Sequence, residues 1–108
     1  MIITPSSGVA GQRVIKTLGL VKGSTIRARH VGKDILAMFK NVVGGEIEEY
    51  TKMMAESREQ AVDRMVADAK EKGANAIVDL RFSTSYMMSA ASEIMAYGTA
   101  VIIENEGS

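Results

Sequence analysis

The chain contains no cysteine, a single histidine and no excess of charge of either sign. Without cysteine there can be no disulfide, no thiolate metal site and no cysteine nucleophile. That absence also fits a cytoplasmic protein. A Ser-His-Asp arrangement could draw only on His30, and Ser83, Ser85, Ser89 and Ser92 stand at no readable spacing from it. The 13 basic residues are matched by 13 acidic ones. The basic surplus that favours nucleic-acid binding is therefore missing, while little charge repulsion opposes self-association. No apolar run approaches the ~20 residues that a membrane span needs. The start, MIITPSSGVAGQ, has neither a basic stretch nor a long apolar one and is not expected to act as a secretory leader. Neither an enzyme, a cofactor site nor a membrane or nucleic-acid partner is expected.

The 108 residues suit one domain over 1–108. At that size about two thirds of the unfolded surface is buried, which gives a core without staples. Residues 2–4 read as a short strand ended by Pro5. Residues 12–29 read as a bent strand or a hairpin, with Gly19 and Gly23 as bends. Apolar residues at three- and four-residue steps (Ile35, Leu36, Phe39, Val42, Val43) predict a helix from about Val31, which Gly44 and Gly45 end or bend. The clearest element is a second helix over 46–72. Ile47, Tyr50, Met54, Ala61, Met65 and Ala69 line one face, acids crowd its first turn, and Gly73 terminates it. Asp68 and Lys72 form an i,i+4 pair. At 1.5 Å per residue this helix is ~40 Å long, more than a small sheet covers, so part of its face calls for another subunit. In NAIVDLRFS, Val78, Leu80 and Phe82 are expected to face the helix, and Ile77, Asp79, Arg81 and Ser83 the other side. A last strand spans EIMAYGTAVIIE, with Gly98 as a bulge or close backbone approach.

The chemistry-bearing residues are sparse. The glycine pairs are not phosphate loops, because no strand–Gly turn–helix order with Lys and Ser or Thr surrounds them. His30 and Asp34 share a helix face at i,i+4, but two ligands do not make a metal site. Asp79 and Arg81, at i,i+2, could join a charged cluster with Glu93 or Arg27, or form a solvated or inter-subunit pair. His30, Asp34, Asp79 and Arg81 are thus the candidate ligand-binding residues, and no metal ligand is assigned. Among the eight methionines, packing is the commoner role, with thioether coordination of Cu(I) as the alternative. Tyr86, Met87, Met88 and Met95 lie in a segment whose apolar groups fall on both faces of any strand pair. They are the expected subunit interface.

The stretch VVGGEIEEYTKMMAESREQAVDRMVADAKEKGANAIVDLRF, followed by ASEIMAYGTAVIIE, resembles the YbjQ-like family of small bacterial and archaeal proteins, often labelled heavy-metal-binding. The anchors are Gly44-Gly45, Tyr50, Arg58 with Ala61, Gly73-Ala74-Asn75-Ala76 and Gly98-Thr99-Ala100-Val101. The resemblance implies an α+β fold with a dodecin-like β-α-β-β subunit, a mainly antiparallel sheet and helices on one face. It further implies a homo-oligomeric ring, a pentamer or a pair of pentamers, and no established enzymatic activity.

Overall fold

The computed structural model describes residues 1–27, 44–86 and 92–106. The elements run β1 (Ile2–Ile3), β2 (Gln12–Arg27), α1 (Gly44–Glu71), β3 (Ala76–Tyr86) and β4 (Ser92–Asn105). The strands form one sheet in the order β1-β3-β4-β2. β1 lies parallel to β3, and both other pairings are antiparallel. This is the expected α+β arrangement, a β-α-β-β unit with a short parallel strand added at one edge. The helix expected from Val31 falls outside the described residues.

Residues 12–27 form one strand, not a hairpin. It is bent by register shifts between Val14 and Lys16 and between Thr17 and Gly19. Gly19 takes φ +110° at the second shift, which only glycine adopts without strain. Gly23 is no bend. A Cβ built there would lie 2.3 Å from the Ala61 carbonyl oxygen and the Met65 nitrogen, so glycine is what lets the helix backbone lie directly on β2.

α1 starts at Gly44, so the double glycine opens this helix, while anything it ends lies outside the described residues. The buried stripe of Ala61, Met65 and Ala69, with Met54 partly buried, follows the expected spacing. Ser57 is buried with it, and its carbonyl accepts a 3.1 Å hydrogen bond from the Thr25 hydroxyl. The carboxylate of Asp68 accepts one from the Lys22 backbone N–H at 3.3 Å. Lys72 Nζ approaches Asp68 to 2.7 Å, and this hydrogen bond, with that from Lys22, holds the carboxyl below its usual range against the opposing effect of burial. Gly73, at φ +84°, donates to the Lys70 carbonyl, and Ala74 donates to that of Ala69. Together these form a Schellman cap.

Asn75 then links the turn to the sheet. Its side-chain N–H₂ donates to the Ile103 carbonyl at 2.9 Å, and its side-chain oxygen accepts from the Ile103 N–H at 2.8 Å. Both partners lie on β4, where the amide imitates one more β-bridge.

The faces of β3 differ from simple alternation. β3 gains one residue on β4 between Val78 and Arg81, with Asp79 in the left-handed region at φ 56°. The bulge exchanges sides. Ile77 and Leu80 pack in the cluster under α1, whereas Val78 joins Ala76, Val101 and Ile103 in a second cluster. Opposite the bulge sits Gly98, where a Cβ would meet Ile77 Cγ2 at 2.8 Å and the Val78 carbonyl at 3.0 Å. The bulge leaves backbone donors that the segment after β1 satisfies: Asp79 N–H donates to the Ser6 carbonyl (2.9 Å) and Leu80 N–H to that of Thr4 (3.1 Å).

Candidate functional site

Cross-strand pairs share a face of the sheet, so the register sorts every side chain. The helix side carries Val21, Gly23 and Thr25 of β2, Ile94, Ala96 and Ala100 of β4, and Ile77, Leu80 and Phe82 of β3. Among the described residues the other side is covered at one end, where Val9 packs on Ala76, Val78, Val101 and Ile103. Beyond that end no described residue covers it. We call this the open face.

Four successive rows cross the open face from β2 through β4 to β3. They are Leu20–Thr99–Val78, Lys22–Tyr97–Arg81, Ser24–Met95–Ser83 and Ile26–Glu93–Ser85. Leu20 is 63% exposed and Ile26 58%. Lys22 and Arg81 flank the half-buried Tyr97. One Arg81 Nη donates to the carbonyls of Pro5 (2.9 Å) and Leu80 (2.7 Å). The open face thus offers two cations, several hydroxyls and an apolar margin.

Of the residues singled out from sequence, Arg81 and Met95 lie on the open face, two strand positions apart across β3 and β4. Asp79 is at the bulge, two residues before Arg81, and among the described residues the two form no ion pair. Tyr86 is the final residue of β3. His30, Asp34, Met87 and Met88 lie outside the described residues. The sequence reading passed over Lys22, Leu20 and Ile26. Their alternation in LVKGSTI was readable, but the bulges before it hid which face it belongs to.

Among the described residues no group of three His, Cys, Asp or Glu could hold a metal ion, and Met65 is wholly enclosed in the core. No described helix is long and apolar enough to cross a membrane.

The comparisons agree on one kinship. A family model described as "Putative heavy-metal-binding" matches residues 1–104. A UPF0145 protein of Dehalococcoides mccartyi is 65% identical over 104 residues, covering 96% of this chain and 100% of the relative. A UPF0145 protein of Methanosarcina acetivorans is 54% identical over 105 residues (97% and 99% covered), and one of Clostridioides difficile 53% identical over 108 (100% and 96%). A crystal structure of a protein of unknown function from Pediococcus pentosaceus, of the DUF74 family, superposes with a TM-score of 0.63. It is 18% identical and covers 96% of this chain and 98% of the other, a likeness of fold. On the whole-length family match and these relatives, the chain belongs to the YbjQ family of UPF0145 proteins.

Proposed function

We propose that the protein is a non-enzymatic cytoplasmic homo-oligomer, a pentamer or a pair of pentamers, whose assembly creates a site for a small ligand. The observation that carries this reading is the half-covered sheet. α1 closes one face, while the other keeps Leu20 and Ile26 in the open beside Met95 and Tyr97. Apolar surface of this kind marks contact sites on proteins that are otherwise compact. The subunit's shape supports it. The radius of gyration is 17.4 Å and the extents are 59 × 25 × 16 Å, against about 13 Å expected for a globule of this length. An elongated chain with one sheet face left uncovered by the described residues would gain buried surface from neighbours. Once subunits meet, Lys22, Arg81 and the hydroxyls of Ser24, Ser83 and Tyr97 would supply the polar groups of the ligand site, with Asp79 beside them at the bulge. Light scattering coupled to size exclusion at low micromolar concentration tests this. The expected mass is about five subunits or a multiple of that; a monomer would refute it.

A second reading, heavy-metal binding through His30, Asp34 and methionines gathered from several subunits, is favoured by the description of the matching family. Elemental analysis of the purified protein with a calorimetric zinc and copper titration separates the two. A stoichiometric metal lost in His30→Ala supports the second; a metal-free oligomer supports the first.

A further inference from the structure

The middle of the open face carries positive charge that the described residues leave uncompensated. In the row Lys22–Tyr97–Arg81 the two cations stand on β2 and β3, either side of β4. Two strand spacings separate their backbones, about 9.5 Å. The ion pairs among the described residues are Arg13–Glu104 and Lys72–Asp68, so neither Lys22 nor Arg81 belongs to one. Glu93 shares the face, but it stands four residues before Tyr97 on β4, about 13 Å of strand. That exceeds the screening length of ~8 Å at physiological salt. Asp79 stands at the bulge without an ion pair. Asp68, on the helix side, accepts the Lys22 backbone N–H. Its pKa is lowered first by the hydrogen bond from Lys72 and last by the charge of Lys22, so Lys72 is its principal partner. A further cation, Arg64, reaches the same strand by donating to the Ser24 carbonyl.

Arg81 is held in a way that keeps its binding edge open. A guanidinium is a planar fork of N–H donors. Nη1 donates to the carbonyls of Pro5 (2.9 Å) and Leu80 (2.7 Å). These carbonyls fix the fork without neutralising it. Nε and Nη2 share another edge, and no described residue accepts from them. That edge is the pair of parallel N–H groups that grips a carboxylate or phosphate through two hydrogen bonds.

The neighbouring side chains add donors and no charge. Tyr97 is half-buried, and its hydroxyl makes no hydrogen bond among the described residues. The hydroxyls of Ser24 and Ser83, one row along, are equally unpaired there. Met95 lies between those serines, so a ring and a thioether floor the strip between β2 and β3.

We infer that the small ligand of the open face is a two-ended anion, a dicarboxylate or diphosphate, with one end on the free edge of Arg81, the other on Lys22 and its body over Tyr97. This rests on the small-ligand site proposed above and names the ligand's chemistry. A single small anionic group meets one cation or the other, whereas a two-ended anion bridges both. The apolar margin of Leu20 and Ile26 is left for the subunit contact. A neighbour seated there would wall the site and strengthen its charge interactions by excluding water.

Calorimetric titration of the full chain at low salt, with terephthalate, pyrophosphate and inorganic phosphate as probes, tests this. The expected result is saturable binding of at least one two-ended probe, tighter than that of inorganic phosphate. Which of the two binds tells carboxylate from phosphate ends. Lys22→Met and Arg81→Met should each weaken binding by about tenfold or more, the loss of a hydrogen bond to a charged group. Arg81→Lys, which keeps the charge and loses the fork, should weaken it as well. Lys16→Met, on the exposed lower half of β2, is the control and should bind as wild type. Circular dichroism melts show which variants fold; should Arg81→Met fail to, Lys22→Met and Tyr97→Phe carry the test, both binding more weakly. The absence of saturable binding by either two-ended probe would overturn the inference, and so would wild-type affinity in Lys22→Met. Scattering mass on the same samples keeps this claim apart from the assembly. An oligomer that binds neither two-ended probe overturns the anion alone. A monomer that binds one, with the stated pattern of variants, upholds the anion and overturns the assembly.

Discussion

Along β2, Val21 and Leu20 are adjacent, similar in chemistry and opposite in fate. Val21 is fully buried in the core cluster under α1, and Leu20 is 63% exposed. The contrast extends across the sheet. On one side Gly23 lets the helix backbone lie directly on β2, and Ala96, Ala100, Ala61 and Ala69 share the core cluster around it. On the other, at the same level, Leu20, Ile26, Met95 and Tyr97 stand with nothing described above them. Antiparallel sheets often wet one face, but then that face alternates to polar residues. Here it is mixed, polar in its middle rows and apolar at the β2 margin. The covered face encodes the fold, and the open face is the surface on which the proposed assembly draws.

Substitutions can separate these roles. The largest effect is expected at Gly23. Gly23→Ala would drive a methyl into the helix backbone, costing about 3 kcal/mol or more as overpacking against atoms that cannot rotate away. Thermal melts at fixed protein concentration would show it, with Ser24→Ala on the open face as the near-silent control. Next is Asn75→Ala, which removes both hydrogen bonds to Ile103 and should cost about 2 kcal/mol. Hydrogen exchange at the Ile103 amide would rise with it. Gly73→Ala leaves open space but forces a Cβ into φ +84°. About 1 kcal/mol is expected there, read as a fall of a few degrees in Tm.

Asp68 gives the smallest effect. Its folded-state pKa is lowered from 3.8, first by the hydrogen bond from Lys72. A depressed carboxylate stabilises the fold fully above its unfolded pKa, and that contribution disappears as pH falls through the lower folded value. Asp68→Asn should therefore flatten the loss of stability below pH ~4, and melts across pH 2–6 would detect it.

The long helix was legible because a 3.6-residue apolar period, acids in its first turn and a glycine stop all agreed. The last strand was legible from its length and apolar content. What misled was irregular backbone. A bulge at Asp79 exchanges the sides of Ile77 and Val78, and periodicity has no means of registering one inserted residue. Gly23 read as a bend because a glycine needed for close helix approach and one needed for a turn look alike in sequence. The partner of Asn75 is 28 residues away, beyond any local pattern. Of the candidate site, Arg81 and Met95 were recognised as notable, but that they share one face with Lys22 and Tyr97 depends on the register of β3 and β4, which tertiary pairing decides.

The claim that the open face exists to be covered by another copy is tested most directly by charging its margin. Leu20→Lys combined with Ile26→Lys alters two side chains that touch no part of the helix-side core. Scattering mass and circular dichroism melts would be recorded together. The account predicts smaller particles than wild type with unchanged secondary-structure signal. Wild-type mass and wild-type melting in the double variant would contradict it.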